Sequence, residues 1–116
     1  MRSGNEATIT ANEESCTEQL ARFFSAVQPV RITANVSAQR AGSKPLQESV
    51  LVEYCGPEHA IFLSALPLEY NDEVRLAHEK SADQLDARVI AVQYHEGLKA
   101  VAVQFQNGPC HWVTKT

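Results

Sequence analysis

Cys55 and His59 stand on either side of Gly56 and Pro57. A thiol with an imidazole close by is the smallest pair that supports nucleophilic catalysis. That chemistry needs the two side chains to meet and a third group to orient the base. In extended or turn backbone they need not meet, and no GxSxG elbow, HExxH helix or Walker loop stands elsewhere in the chain. Cys55 therefore reads as a buried structural cysteine at a strand end. The 4 histidines, His59, His78, His95 and His111, lie far apart without His-x-His spacing. A zinc site needs three or more converging ligands. Closure of a barrel could bring His59 and His78 together, but they read as solvated or core histidines, and no metal is expected. Glu69, Asp72 and Glu73 read as a solvated rim around a turn. No catalytic residue is assigned, and the chain is read as non-enzymatic.

Arg31 and Arg40 are the other chemical candidates. They bracket the first expected strand, and a guanidinium at a strand mouth can grip an oxyanion bidentately. The plainer reading of each is an exposed, solubilising arginine.

The elements that must position these residues follow from hydrophobic spacing. Residues 1–11 are small and polar and are expected to be loose. The stretch 10–13, TANE, has capping-box spacing. Behind it Cys16, Leu20, Phe23, Phe24 and Val27 fall on one helical face, so a helix is expected within 12–28, ended by Pro29. Glu13, Glu14 and Glu18 sit where the helix dipole favours acids.

From residue 29 to 113 the pattern becomes short strands divided by turns. The stretch 30–36 (VRITANV) alternates, with Val30, Ile32, Ala34 and Val36 on one side, and 41–45 (AGSKP) reads as a hairpin loop. Strands are expected over 49–55 (SVLVEYC), 59–64 (HAIFLS), 73–78 (EVRLAH), 85–94 (LDARVIAVQY) and 98–105 (LKAVAVQF). In the last, Val101, Val103 and Phe105 share one face and Ala100 and Ala102 the other. The tail 110–113 (CHWV) is apolar enough to tuck against the body. Six strands after one helix, with no βαβ rhythm, predict an all-β fold: an antiparallel barrel preceded by an N-terminal α-helix. Closure would remove edges that such apolar strands leave open to aggregation.

Length and composition bound the rest. The 116 residues fit one domain with a single core, and a hydrophobic fraction of 44% is ordinary for a globular chain. A formal charge of −4 with no Lys/Arg run argues against a nucleic-acid polymer as partner. The 3 cysteines form no CxxC pair or disulfide framework, which fits a reducing compartment. The first residues lack the apolar stretch of a signal peptide. No run approaches the roughly 20 apolar residues of a membrane span. A cytoplasmic location without membrane insertion is expected.

The order of Arg31-Ile32, a hairpin, a strand, HAIFLSALPL at 59–68, EVRL at 73–76, ARVIAV at 87–92 and KAVAVQF at 99–105 resembles the PilZ domain family. The likeness covers about 31–112. Residues 60–68 look like the family's strand with a "pL" ending, and 73–76 like its "xVxL" strand. The segments 88–92 and 101–105 look like its "aRVvrv…vGVxF" hairpin. The closing 107–112 is similar to a PilZ subgroup with an aromatic near its end. The resemblance implies a six-stranded antiparallel barrel of a bacterial signalling module, many of which bind cyclic di-GMP. The ligand motifs depart from the family. In RxxxR, Arg31 matches the second arginine and Val27 stands at the first. In DxSxxG, Tyr54 replaces the aspartate, Gly56 the serine and His59 the glycine. Glu58 would repel a dianion. The implied function is a PilZ-like domain that does not bind cyclic di-GMP, carries no cofactor and acts through a protein partner. The helix face of Phe23 and Phe24, or the open barrel ends, would be the contact surface. The alternative is a cyclic di-GMP receptor with atypical contacts through Arg31, Arg40, Tyr54 and His59.

Overall fold

A computed structural model of the chain describes residues 16–39, 44–81, 83–95 and 97–112. The expected loose segment 1–11, the capping box at 10–13 and Arg40 lie outside the described residues. Among the described residues one helix, α1 (Cys16–Ala21), is followed by six strands: β1 (Gln28–Ala38), β2 (Leu46–Cys55), β3 (His59–Ser64), β4 (Glu73–His78), β5 (Gln84–His95) and β6 (Leu98–Phe105). All neighbouring strands are antiparallel, and they close into a barrel in the order β1-β2-β3-β6-β5-β4. The run β4-β1-β2-β3 is a Greek key, in which a fourth strand returns to lie beside the first. The expected all-β barrel behind an N-terminal helix is the fold of the chain.

Closure depends on β1, which pairs with β2 on one side and with β4 on the other. Asn35 faces Ser49 in β2 and Ala77 in β4. Between Pro29 and Ile32 the register slips, so Val30 and Arg31 together face the single residue Glu53. Such a bulge sharpens the local twist and lets a strand curl round a barrel. At the other turns, Gly97 takes φ 87° between β5 and β6, a conformation that a Cβ disfavours. Asn71 takes φ 76° in the β3–β4 connection, where its side-chain oxygen accepts a bond from Arg88 Nη1 at 3.0 Å.

Period-two alternation sorts the side chains into two apolar layers. Ala34, Val36, Val52, Phe62, Leu76, Val89, Val101 and Val103 point into the barrel and are fully or almost fully buried. Leu68, from the β3–β4 connection, is buried among them. Outside the wall a second cluster forms where Leu20 of α1 rests on Ile61, Ala100 and Ala102. The small alanines of β6 leave room for the helix, and Ile61 is covered by it. This explains why 59–64 is apolar on both faces: Ala60 and Phe62 face inward, and Ile61 faces the helix.

The helix ends earlier than its sequence spacing predicts. From Ala21 the chain leaves α-geometry through tight turns, with Phe23 N bonding Leu20 O at 3.1 Å and Phe24 N bonding Ala21 O at 3.0 Å. Phe23, Phe24, Ser25 and Val27 are all weaker helix formers than the Gln19, Leu20 and Ala21 before them. Tertiary contacts of Phe24 and Val27 then draw this segment onto the barrel wall. Pro29, expected to stop the helix, lies inside β1 instead. Phe23 leaves the expected apolar stripe and is 78% exposed. No described helix is long and apolar enough to cross a membrane.

Candidate functional site

The turn between β2 and β3 gathers three distant parts of the chain. It closes on itself through Gly56 N to His59 O at 2.9 Å. Two of its carbonyls bond other segments: Glu58 O accepts from Phe105 N at 2.9 Å, and Pro57 O from Cys110 N at 2.8 Å. The end of β6 and the C-terminal tail are thereby tied to the hairpin. On the other side runs the segment linking α1 to β1, and Gly56 makes its approach possible. A Cβ added there would lie 2.5 Å from the backbone oxygen of Ala26, well inside contact distance.

Two of the four ligand candidates stand on this hairpin and a third on the strand beside it. His59 lies against Phe24 with ring centroids 4.7 Å apart and planes tilted by 42°. Burial lowers the pKa of His59, an effect that neighbouring Glu58 partly opposes. Tyr54 is half-buried and packs with Val27 against the outer cluster. Arg31 is exposed at the β1 bulge. Across from it, Glu53 accepts a bond of 2.6 Å from the Thr17 hydroxyl, which fastens α1 to β2. Arg40 lies outside the described residues. Gln39, just before it, follows Arg31 along the strand by eight residues, about 26 Å at ~3.3 Å per residue. The hairpin thus carries Tyr54 and His59, Arg31 stands on the neighbouring strand across from Glu53, and the chain's own Phe24 packs on the imidazole.

The Cys55–His59 pair does not assemble. The Cys55 thiol points inward, its one proton shared between Gly56 O at 3.6 Å and the sulfur of Cys110. His59 faces Phe24 on the outer side of the wall. His78 has other neighbours: it packs edge-on against Trp112 at 5.1 Å, and its Nδ1 accepts from Lys80 N at 3.0 Å. No group of three or more His, Cys, Asp or Glu among the described residues could hold a metal. The acidic rim is a set of turn contacts. Asp72 accepts from Glu69 N at 2.9 Å, and Glu73 pairs with Arg88 at 3.1 Å.

Two features had no local signal in the sequence. One is the contact between Cys55 and Cys110, which come from the end of β2 and from the tail beyond β6. The other is an open cleft of about 610 Å³ at the end of β1, lined by Ser37, Gln39, Arg75, Asp86 and Asn107 among others. Its charges are already matched. Arg75 Nε bonds Asp86 Oδ1 at 2.9 Å, and Asn107 Nδ2 bonds Asp86 Oδ2 at 3.1 Å.

In comparison with known proteins, no family model matches the chain and no curated protein matches it.

Proposed function

We propose that this chain is a PilZ-like barrel that does not bind cyclic di-GMP and works as a protein-binding module in bacterial signalling. The contact that carries this reading is Phe24 on His59, at the hairpin that resembles the family's DxSxxG. In the family, polar and basic groups from this hairpin and from the preceding linker hold the nucleotide. Here Val27 and Phe24 supply apolar surface from the linker, and Tyr54 turns into the same cluster. A hydrogen bond to a charged group is worth roughly 1.5–3 kcal/mol, and about 1.4 kcal/mol is tenfold in affinity. Loss of one arginine and two polar ligands therefore weakens binding by several powers of ten. Arg31 alone does not restore it beside Glu53 and Glu58.

The partner surface of this reading is Phe23, which stands 78% exposed beside the anchored Phe24. Large exposed aromatics are frequent anchors at protein interfaces. Calorimetric titration with cyclic di-GMP is the deciding experiment, and no saturable heat is expected. Saturable micromolar binding that disappears in Arg31→Ala would replace this reading with that of an atypical nucleotide receptor.

A further inference from the structure

Cys55 and Cys110 are both buried in the barrel core, at 0% and 6% exposure, and neither is in a disulfide. Their contact is held from two sides. Cys55 closes β2, and the turn that follows it fixes Cys110 through Pro57 O and Cys110 N at 2.8 Å. The one proton of the Cys55 thiol is shared between Gly56 O and the Cys110 sulfur, which also accepts from Trp112 N at 3.3 Å. A disulfide requires the sulfurs to close to about 2.05 Å with a defined torsion. Cys55 is fixed in the strand ladder, whereas Cys110 lies beyond β6 in a segment without regular structure, so the tail can supply the movement.

The two sulfurs are also unlike in reactivity. The hydrogen bond from Cys55 lowers the pKa of Cys110, with the Trp112 amide assisting, against burial and the charge of Asp83. The same bond and burial push the Cys55 thiol up. A sulfur held toward the thiolate form attacks oxidants that reach it, and a neighbouring thiol then resolves the product; at 6% exposure Cys110 is reached when the tail beyond β6 moves off the barrel.

We propose that Cys55 and Cys110 form a reversible oxidation site, in which hydrogen peroxide converts the pair to a disulfide that staples the tail to the end of β2. The Cys110 sulfur attacks one peroxide oxygen and the O–O bond breaks. The hydroxide released takes up the proton given up by the Cys110 thiol and leaves as water, and Cys110 becomes a sulfenic acid. The Cys55 sulfur then attacks the Cys110 sulfur, the S–O bond breaks, and the hydroxyl leaves as water with the Cys55 proton. Two thiols are oxidised by two electrons, and one peroxide is reduced to two waters. A dithiol reductant reverses the change. In reducing compartments disulfides are commonly transient and redox-sensing. This site is independent of the protein-binding reading above.

The chain has 1 tryptophan, and Trp112 touches this site through its own backbone bond to Cys110, so its fluorescence reports on the sulfurs. The test treats the full chain carrying Cys16→Ser with hydrogen peroxide, then unfolds, alkylates and digests it. Alkylatable thiols are expected to fall from two to none, with one cross-linked peptide pair joining Cys55 to Cys110. In the unaltered chain the 3 thiols fall to one. Trp112 fluorescence is expected to change in step and to return with dithiothreitol. In Cys55→Ser, a sulfenic-acid trap is expected on Cys110. Full alkylation after peroxide, a disulfide between two molecules, or irreversible oxidation without the cross-link each overturns the proposal. The mapping on chains that retain both cysteines needs no core substitution, so misfolding of Cys55→Ser leaves the test intact.

Discussion

A neutral imidazole is the form of His59 that the fold accommodates, because its ring rests on Phe24 and burial disfavours the imidazolium. The sign for stability follows. With the folded pKa below the unfolded value of 6.5, the unfolded chain takes up the proton first as pH falls. Stability contributed by His59 is therefore complete above 6.5 and is lost as pH drops from there through the lower folded value. His59→Phe keeps a ring against Phe24 and removes the titration. Its urea midpoint, relative to that of the unaltered chain, is expected to rise as pH is lowered below 6.5. A pH-independent difference between the two chains would contradict this account. At this scale the sequence was partly legible. The apolar company of Cys55 in SVLVEYC marks it as buried, and it is. Its partner Cys110 had no local signal, because only closure of the barrel brings the tail to the end of β2. His59 was legible as a candidate, but its cover by Phe24 depended on the helix ending early.

The helix is the element most dependent on others. The described six residues of α1 are too few to hold a helix in water by themselves, and contacts with the barrel support them. Those contacts are Leu20 on Ile61, Ala100 and Ala102, together with two side-chain bonds: Thr17 to Glu53 at 2.6 Å and Gln93 to Gln19 at 2.7 Å. Truncating a buried leucine to alanine costs about 2–5 kcal/mol when the whole fold must accommodate the cavity. Here a cheaper response exists, since α1 can detach while all six strands keep their pairing. Leu20→Ala is therefore expected to lose amide-exchange protection in α1 by tenfold or more, with the barrel strands little changed. Equal loss of protection in β3 and β6 would show the helix and barrel to be one cooperative unit. Strand boundaries were the clearest part of the sequence. The ranges of β3, β4 and β6 follow from short apolar, β-branched runs bounded by turn residues, in β4 with clear alternation. The end of α1 was not legible, because the spacing of Phe23, Phe24 and Val27 suits a helix while their contacts require the chain to turn away.

For the whole molecule, closure sets what a substitution can do even where a side chain touches little. In an open sheet an edge strand tolerates proline when its N–H faces solvent. In this barrel every strand has a neighbour on both sides, so the described ladder offers no such position in β1 where it pairs with both β2 and β4. Asn35 makes the comparison clean. Its side chain is exposed, and its backbone sits between Ser49 and Ala77. Asn35→Ala is expected to shift stability by no more than about 0.5 kcal/mol, as for an ordinary surface site. Asn35→Pro removes a ladder donor and strands its acceptor, so it is expected to cost at least about 2 kcal/mol. The same proline also frees unpaired backbone along the seam between β1 and β4, which invites pairing between molecules. Urea unfolding of both variants measures the first effect, and light scattering during refolding measures the second. A proline variant as stable and as soluble as the alanine variant would mean that β1 is an edge, and that the barrel is held by its apolar interior without the β1–β4 seam.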